Sequence, residues 1–336
     1  MAPVYTELRR AAPAPCQGHL RQSRMIMPLD RAIERSLRYL SSQEALASLE
    51  RDPYWPKWDS PWWHMLLLYE LGSAKKIPAA AVGKLTKVLK NHYLPIFPVR
   101  AEEVPAGIDP YRRIACHCAV GSAYQLLYAC GVDVDKELPW MRPWFLRYQL
   151  PDGGLNCDEA AYTRTVPKSS IVSTLPCLEA VLFCRERPLT GEETAFLDKG
   201  AAYLAAHGLF RGVSTGKIIN QDWLEVRFPR FYDYDFLRGF YFLARWREHS
   251  GFHIPPALSE EVAELMSRQL GPEGVTLKRY NLIDKRSYNP DPKGNWAMGG
   301  ASEFELMKAA SYTGRLCQPL TEQWNEVKPE NAGRPR

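Results

Sequence analysis

Cys116-His117-Cys118 sets three metal-ligand side chains in consecutive positions, and Cys157-Asp158 adds two more. Thiolate, imidazole and carboxylate are the groups that hold zinc. Side chains two apart on a helix point to different faces, so a site here needs ligands from another segment. Cys118, Cys157 and His117 are the zinc candidates, with an acid such as Asp158 or Asp233 completing the set. A second chemistry is proton transfer. Asp59, Asp222 and Asp233 each stand beside an aromatic residue, in Trp58-Asp59, Asp222-Trp223 and Tyr232-Asp233. A carboxyl enclosed by apolar groups has a raised pKa and can serve as an acid. Those three and His117 are the catalytic candidates.

The same segments are rich in aromatic and charged side chains. Trp58, Trp62, Trp63, Tyr111, Arg113, Lys168, Trp223, Tyr232, Asp235 and Trp296 are the candidates for substrate contact. Aromatic walls with a few convergent polar groups suit a largely apolar ligand. Their faces also attract a carbocation or an ammonium. Plainer roles compete. Asp59-Ser60-Pro61 reads as a helix cap followed by a proline in the first turn. Trp62 and Trp63 are adjacent and face different ways, so at least one belongs to the core. His64 reads as a hydrogen-bonded histidine on an apolar helix. Arg112-Arg113 reads as a salt-bridged rim or as a phosphate contact. Asp233 and Asp235 diverge, so one faces a cavity while the other caps or pairs.

These residues must be positioned by helices, because the pattern is helical throughout and strand signals are weak. Aromatics at Tyr39, Tyr93, Trp144 and Tyr203 recur about every 50–60 residues, room for two helices and their connections. One set of helices is expected over 29–49, 79–94, 135–149, 191–207 and 257–269. These are amphipathic. The second set, over 60–72, 111–130, 168–184, 231–249 and 301–312, is apolar nearly all round. A one-faced helix lies outside and an all-apolar helix is buried. Five outer and five inner helices describe an all-α protein, an α/α toroid of about five helical hairpins. An open α-solenoid is the competing architecture. In a toroid the starts of the buried helices line one mouth of the central cavity, where free N–H groups favour anions. The candidate residues fall at those starts.

The stretch Trp144-Phe-Leu-Arg-Tyr-Gln149-Leu-Pro-Asp152-Gly153-Gly154-Leu155 resembles the QW-type repeat of terpenoid cyclases and their relatives, with Leu155 where a Trp is usual. Lys199-Gly200-x-x-Tyr203-Leu204 matches the first half of that repeat. Over about residues 30–315 the chain is similar to squalene-type cyclases and protein prenyltransferase β subunits. The resemblance implies an α/α toroid and an isoprenoid or similarly apolar small-molecule substrate. It assigns Gln149 the task of tying a helix end to the next repeat. The catalytic motifs of those families are missing: Asp133-Val-Asp135-Lys136 and Asp233-Tyr-Asp235-Phe236 do not complete D-x-D-D, and D-D-x-x-D does not occur. Two other functions therefore stand beside the cyclase-like or prenyltransferase-like one. One is a sugar lyase or hydrolase on a toroid, using Tyr111, Arg113, His117, Tyr232 and Asp235. The other is a non-catalytic binding or scaffold protein.

Composition excludes some classes. Of 336 residues, 46% are hydrophobic and 24% charged, enough apolar side chain to bury a sizeable core. The net charge of +5 is too mild and too evenly spread for nucleic acid. No apolar run is long enough to span a membrane, although peripheral membrane contact is compatible with the composition. Eight cysteines without a C-x-x-C pair predict a reduced, cytoplasmic protein. Residues 1–27 are expected to be a disordered leader, or to precede a true start at Met25 or Met27. Residues 28–315 are the expected toroid domain, and 316–336 a polar C-terminal tail. Residues 272–296 read as an irregular connection that lids the cavity, carrying Arg279, Tyr280, Asp284, Lys285 and Arg286.

Overall fold

The computed structural model describes residues 27–280 and 286–329; Asp284, Lys285 and the leader up to residue 26 lie outside them. The chain forms α1 (Leu29–Leu40), α2 (Gln43–Arg51), α3 (Pro61–Glu70), α4 (Ala79–His92), α5 (Pro110–Arg113), α6 (His117–Ala129) and α7 (Val134–Glu137). It continues through α8 (Met141–Arg147), α9 (Ile171–Phe183), α10 (Gly191–Ala206), α11 (Phe236–Ser250) and α12 (Pro256–Ser267). Two small antiparallel pairs follow, β1 (Leu270–Gly271) with β2 (Gly274–Val275) and β3 (Arg286–Pro290) with β4 (Trp296–Gly300). Helices α13 (Glu305–Ala310) and α14 (Gln318–Val327) end the described chain. The protein is thus mostly helical with minor sheet. None of the described helices is long and apolar enough to cross a membrane.

Two classes of helix are distinct in burial. Every residue of α3 from Pro61 to Leu68 is buried, as is every residue of α6 from His117 to Leu127. In α9 only Val172 and Phe183 are not fully buried. By contrast α1, α4 and α12 bury one stripe each, such as Ala81, Val82, Leu85 and Leu89 of α4. Periodicity decides the layer, because only a helix without a polar face can be surrounded. Some expected helices are split. Ser42 accepts a hydrogen bond from the Ala45 amide and starts α2 afresh, dividing the expected 29–49 helix. The expected 111–130 helix breaks between Arg113 and His117, and the 135–149 helix between Glu137 and Met141.

The buried helices pack in sequence order. Helix α3 packs on α6, α6 on α9 and α9 on α11, while α13 packs on α1 and α3. The closest approach is between α6 and α9. A Cβ on Gly121 would stand 2.5 Å from the Pro176 carbonyl carbon and 2.7 Å from the Cys177 nitrogen. Late residues meet late residues: Tyr69 of α3 donates to Gln125 of α6 (3.1 Å), and Gln125 donates to Glu179 of α9 (3.3 Å). Helices α3, α6 and α9 therefore run in the same direction and begin at the same level. Helix α11 is displaced along its axis. Its third residue, Arg238, makes a two-pronged pair with Glu179 near the end of α9 (2.9 and 2.6 Å). Buried charge is paired elsewhere too, as in Arg230 with Asp235 (2.7 and 2.8 Å).

Gln149 donates to Gly153 O (2.9 Å) and to Phe196 O (2.8 Å), tying the end of α8 to α10. Gly153 adopts φ +97°, and a Cβ there would lie 2.3 Å from Lys199 O, so both its conformation and its space demand glycine. Two segments differ from expectation. The 272–296 connection contains β2 and β3 and runs into β4, because Tyr288 and Trp296 stack across the β3–β4 pair. The 316–336 segment is not simply a polar tail, because α14 buries Leu320, Trp324 and Val327 and packs on α11 and β2.

Candidate functional site

The starts of α3, α6 and α9 hold the densest chemistry. Before α3, Lys57 and Trp58 are buried. Trp58 stacks on Phe231 (5.3 Å between centroids, 12° between planes) and meets Trp63 edge-on (4.5 Å). Phe231 and Tyr232 belong to the segment leading into the displaced α11. That segment meets Trp58 through Phe231 and Lys57 through Tyr232. The Lys57 ammonium donates to Tyr232 Oη (3.0 Å). It also stands 5.3–5.6 Å from the ring centres of Tyr54, Trp55, Trp58 and Tyr232, within cation–π range.

Three thiols meet at the next two helix starts. Cys116 caps α6 in an extended conformation (φ −79°, ψ 152°), which turns its side chain back toward the first turn. Its sulfur lies 3.2 Å from that of Cys118. The Cys157 thiol lies 3.6 Å from Cys118 Sγ, and the three ligand atoms are all within 4.8 Å of one another. Cys157 is placed by its own amide, which donates to Ser173 Oγ of α9 (3.1 Å). The divergence expected of residues two apart does not apply, because Cys116 is outside the helix. The Cys118 and Cys157 thiols, the Ala119 amide and the Lys57 charge hold the Cys116 thiol well below its usual pKa. Burial pushes Cys157 up to about 11. Tyr232 is raised to about 12 by burial, against the pull of Lys57.

His117 does not join the sulfurs. Its Nε2 pairs with Tyr162 Oη (3.0 Å), and its ring sits among Phe97, Trp144 and Tyr148. It is fully buried, and burial lowers its pKa to about 4. The zinc candidates Cys118 and Cys157 are thus brought together, with Cys116 in the place expected for His117. Asp158 caps a short 3-10 turn through the Ala160 amide (3.1 Å).

The acid candidates separate. Asp59 is exposed beside Tyr39 and Glu44 of α1 and α2. Asp222 is exposed and pairs with Arg279 (3.0 Å). Desolvation and the Glu44 carboxylate raise the Asp59 carboxyl, but it stands with α1 and α2, apart from the thiols. Asp235 is fully buried but saturated: it accepts from Arg230, from the Arg238 amide (2.9 Å) and from the Arg227 amide (3.2 Å), as the cap of α11. That occupancy removes it from substrate contact. Asp233 is paired with Arg227 and accepts from the Tyr234 amide (2.8 Å), and burial raises its carboxyl.

Trp62 and Trp63 are both core, and Trp63 Nε1 donates to Tyr54 O (3.0 Å). Trp223 is buried edge-on against Tyr234 (5.0 Å). Arg113 donates to His92 O (3.2 Å), and its neighbour Arg112 pairs with Asp52 (2.8 Å). Trp296 lies on β4 under the Arg112 guanidinium (4.3 Å). Tyr111 stands in α5. Lys168 is exposed and lines a pocket of about 350 Å³ that also touches Cys157, Arg164 and His207. In the proposed lid, Tyr280 donates to Glu303 (3.0 Å) and Arg286 begins β3.

A larger chamber of about 670 Å³ lies at the other ends of the buried helices. Tyr69, Glu70, Gln125, Glu179, Arg230 and Arg238 are among its walls. The Glu70 carboxylate accepts from the Arg230 amide (2.7 Å) and the Phe231 amide, while burial raises its pKa. The carboxylates and guanidiniums at this end give no sign in the sequence, because single charges inside apolar helices carry no spacing pattern. Lys57 and Cys116 also escaped the reading as site residues, though both lie in segments it singled out. Comparison with family models, with curated proteins and with solved structures finds no match to this chain.

Proposed function

We propose that the helices close into an α/α toroid, and that the protein is an enzyme for an isoprenoid or similarly apolar substrate bearing an anionic head. The packing order supports closure: consecutive buried helices touch, and α13 returns to α1 and α3. One observation carries the functional reading. Buried Lys57, hydrogen-bonded to Tyr232 among four aromatic rings, stands where α3, α6 and α9 begin. Aromatic faces suit an apolar tail and its developing cations. Lys57 and the helix N-termini suit an anionic head. Asp233, adjacent to Tyr232 and raised by burial, is the acid of this reading. The likeness of residues 144–155 to the repeat of terpenoid cyclases and prenyltransferase β subunits points to the same substrate class.

Incubation of the protein with prenyl diphosphates and squalene-like polyenes, with products read by mass spectrometry, tests this. A charge-assisted hydrogen bond contributes about 1.5–3 kcal/mol, so Lys57→Met should weaken diphosphate binding roughly ten- to hundredfold. Folded protein that neither binds nor converts any of these compounds would overturn the reading.

The 670 Å³ chamber favours a second reading, because Glu70, Glu179, Arg230 and Arg238 stand among the apolar side chains of its walls. A sugar-like ligand would suit it, and a hydrolase or lyase would follow. Binding of oligosaccharides, weakened by Glu70→Gln and unaffected by Lys57→Met, would select this alternative.

A further inference from the structure

We propose that Cys116, Cys118 and Cys157 hold one zinc ion and leave its fourth position open to substrate. Three thiolates at about 2.3 Å around a tetrahedral zinc stand about 3.8 Å apart. The separations of 3.2 and 3.6 Å, with all three ligand atoms inside 4.8 Å, fit that triangle after a small adjustment. The ligands come from two segments that are independently fixed. Cys116 and Cys118 are set by the cap and first turn of α6. Cys157 is set by its hydrogen bond to Ser173 of α9, and α6 and α9 are locked together at Gly121. Such preformation is what a metal site needs, because the ordering is done by the fold.

The donor set chooses the metal. Soft thiolates favour zinc over magnesium, calcium or manganese. Three thiolates on a divalent ion leave one negative charge. The positive end of α6, whose cap is Cys116, offsets it. Structural zinc sites are closed by four protein ligands, whereas catalytic sites use three and keep one position for water or substrate. His117, the obvious fourth ligand by sequence, is held by Tyr162 in an aromatic shell. Lys57 and Tyr232, hydrogen-bonded to each other, are the polar pair of the neighbouring aromatic cluster. The open position is where the head of the proposed substrate would bind. This inference deepens the isoprenoid reading and rests on it for the substrate, but the metal can be measured without one.

The test is metal analysis of the full chain purified in the presence of a reductant, together with cobalt substitution. One zinc per chain is expected. The cobalt form should show thiolate-to-cobalt charge-transfer bands and the intense visible bands of tetrahedral cobalt. Cys118→Ser and Cys157→Ser should each lose bound metal at least about tenfold, while Cys317→Ser, at a buried thiol beside α14, keeps it. Circular dichroism checks the fold. Should a cysteine variant unfold, Ser173→Ala decides the matter: it should stay folded and lose zinc to a chelator about 10–100-fold more readily. Three results would each overturn the proposal. They are absence of metal and of thiolate bands, full metal retention in both cysteine variants, and a disulfide among the three thiols in protein alkylated at harvest. Stoichiometric zinc without turnover of any prenyl compound would sink the isoprenoid reading and leave the metal site standing.

Discussion

His64 is kept neutral by its surroundings. Its Nδ1 is 3.0 Å from Ser36 Oγ, Phe304 stacks on it at 3.8 Å, and burial lowers its pKa to about 3. An unfolded histidine takes up a proton below about 6.5. Between those values the unfolded chain binds the extra proton and the folded chain does not. Stability is therefore present above pH 6.5 and lost as the pH falls, by about 1.4 kcal/mol per pH unit. Urea unfolding at pH 7 and pH 5 should show this loss, and His64→Gln should remove its share. The Glu179–Arg238 pair obeys a different rule. Both side chains are nearly buried (7% and 9% exposed), so deleting one partner strands the other. Arg238→Met should cost about 3–5 kcal/mol in denaturant unfolding. Charge pairing of this kind was not legible in the sequence. The thiol cluster was half legible: Cys118 and Cys157 carry metal-ligand chemistry by type, but the convergence of Cys116 depends on where α6 starts.

Helices α6 and α9 set the distance between the thiols. Gly121 lies against backbone atoms of Pro176 and Cys177, which cannot swing aside as a side chain would. Gly121→Ala should therefore force the pair apart and destabilise the protein by about 1–3 kcal/mol, measured by thermal or denaturant unfolding. The buried helices could be read from the sequence because each lacks a polar face, as in Leu66-Leu67-Leu68. Their splits could not. The α1–α2 break depends on Ser42 capping, a choice that competes closely with helix continuation. The displacement of α11 was also invisible. It follows from Arg238 seeking Glu179, a partner 59 residues earlier on another helix.

The described chain is held together at its far ends. Helix α13 packs on α1 and α3, and α14 covers α11. Trp324 is buried at that seam (7% exposed), so Trp324→Ala should cost about 3–5 kcal/mol in denaturant unfolding. That result would separate an integral α14 from a dispensable tail. The role of 316–336 was hidden because few of its residues are apolar, and Leu320, Trp324 and Val327 line up only once the helix exists. The same proximity of distant segments makes the thiol cluster a feature of the folded molecule as a whole. Diffraction from full-length, zinc-loaded crystals at the zinc absorption edge reads that feature directly. The account predicts one anomalous peak about 2.3 Å from the sulfurs of Cys116, Cys118 and Cys157, with a non-protein fourth ligand. A peak bound elsewhere, or a fourth protein ligand closing the site, would contradict it.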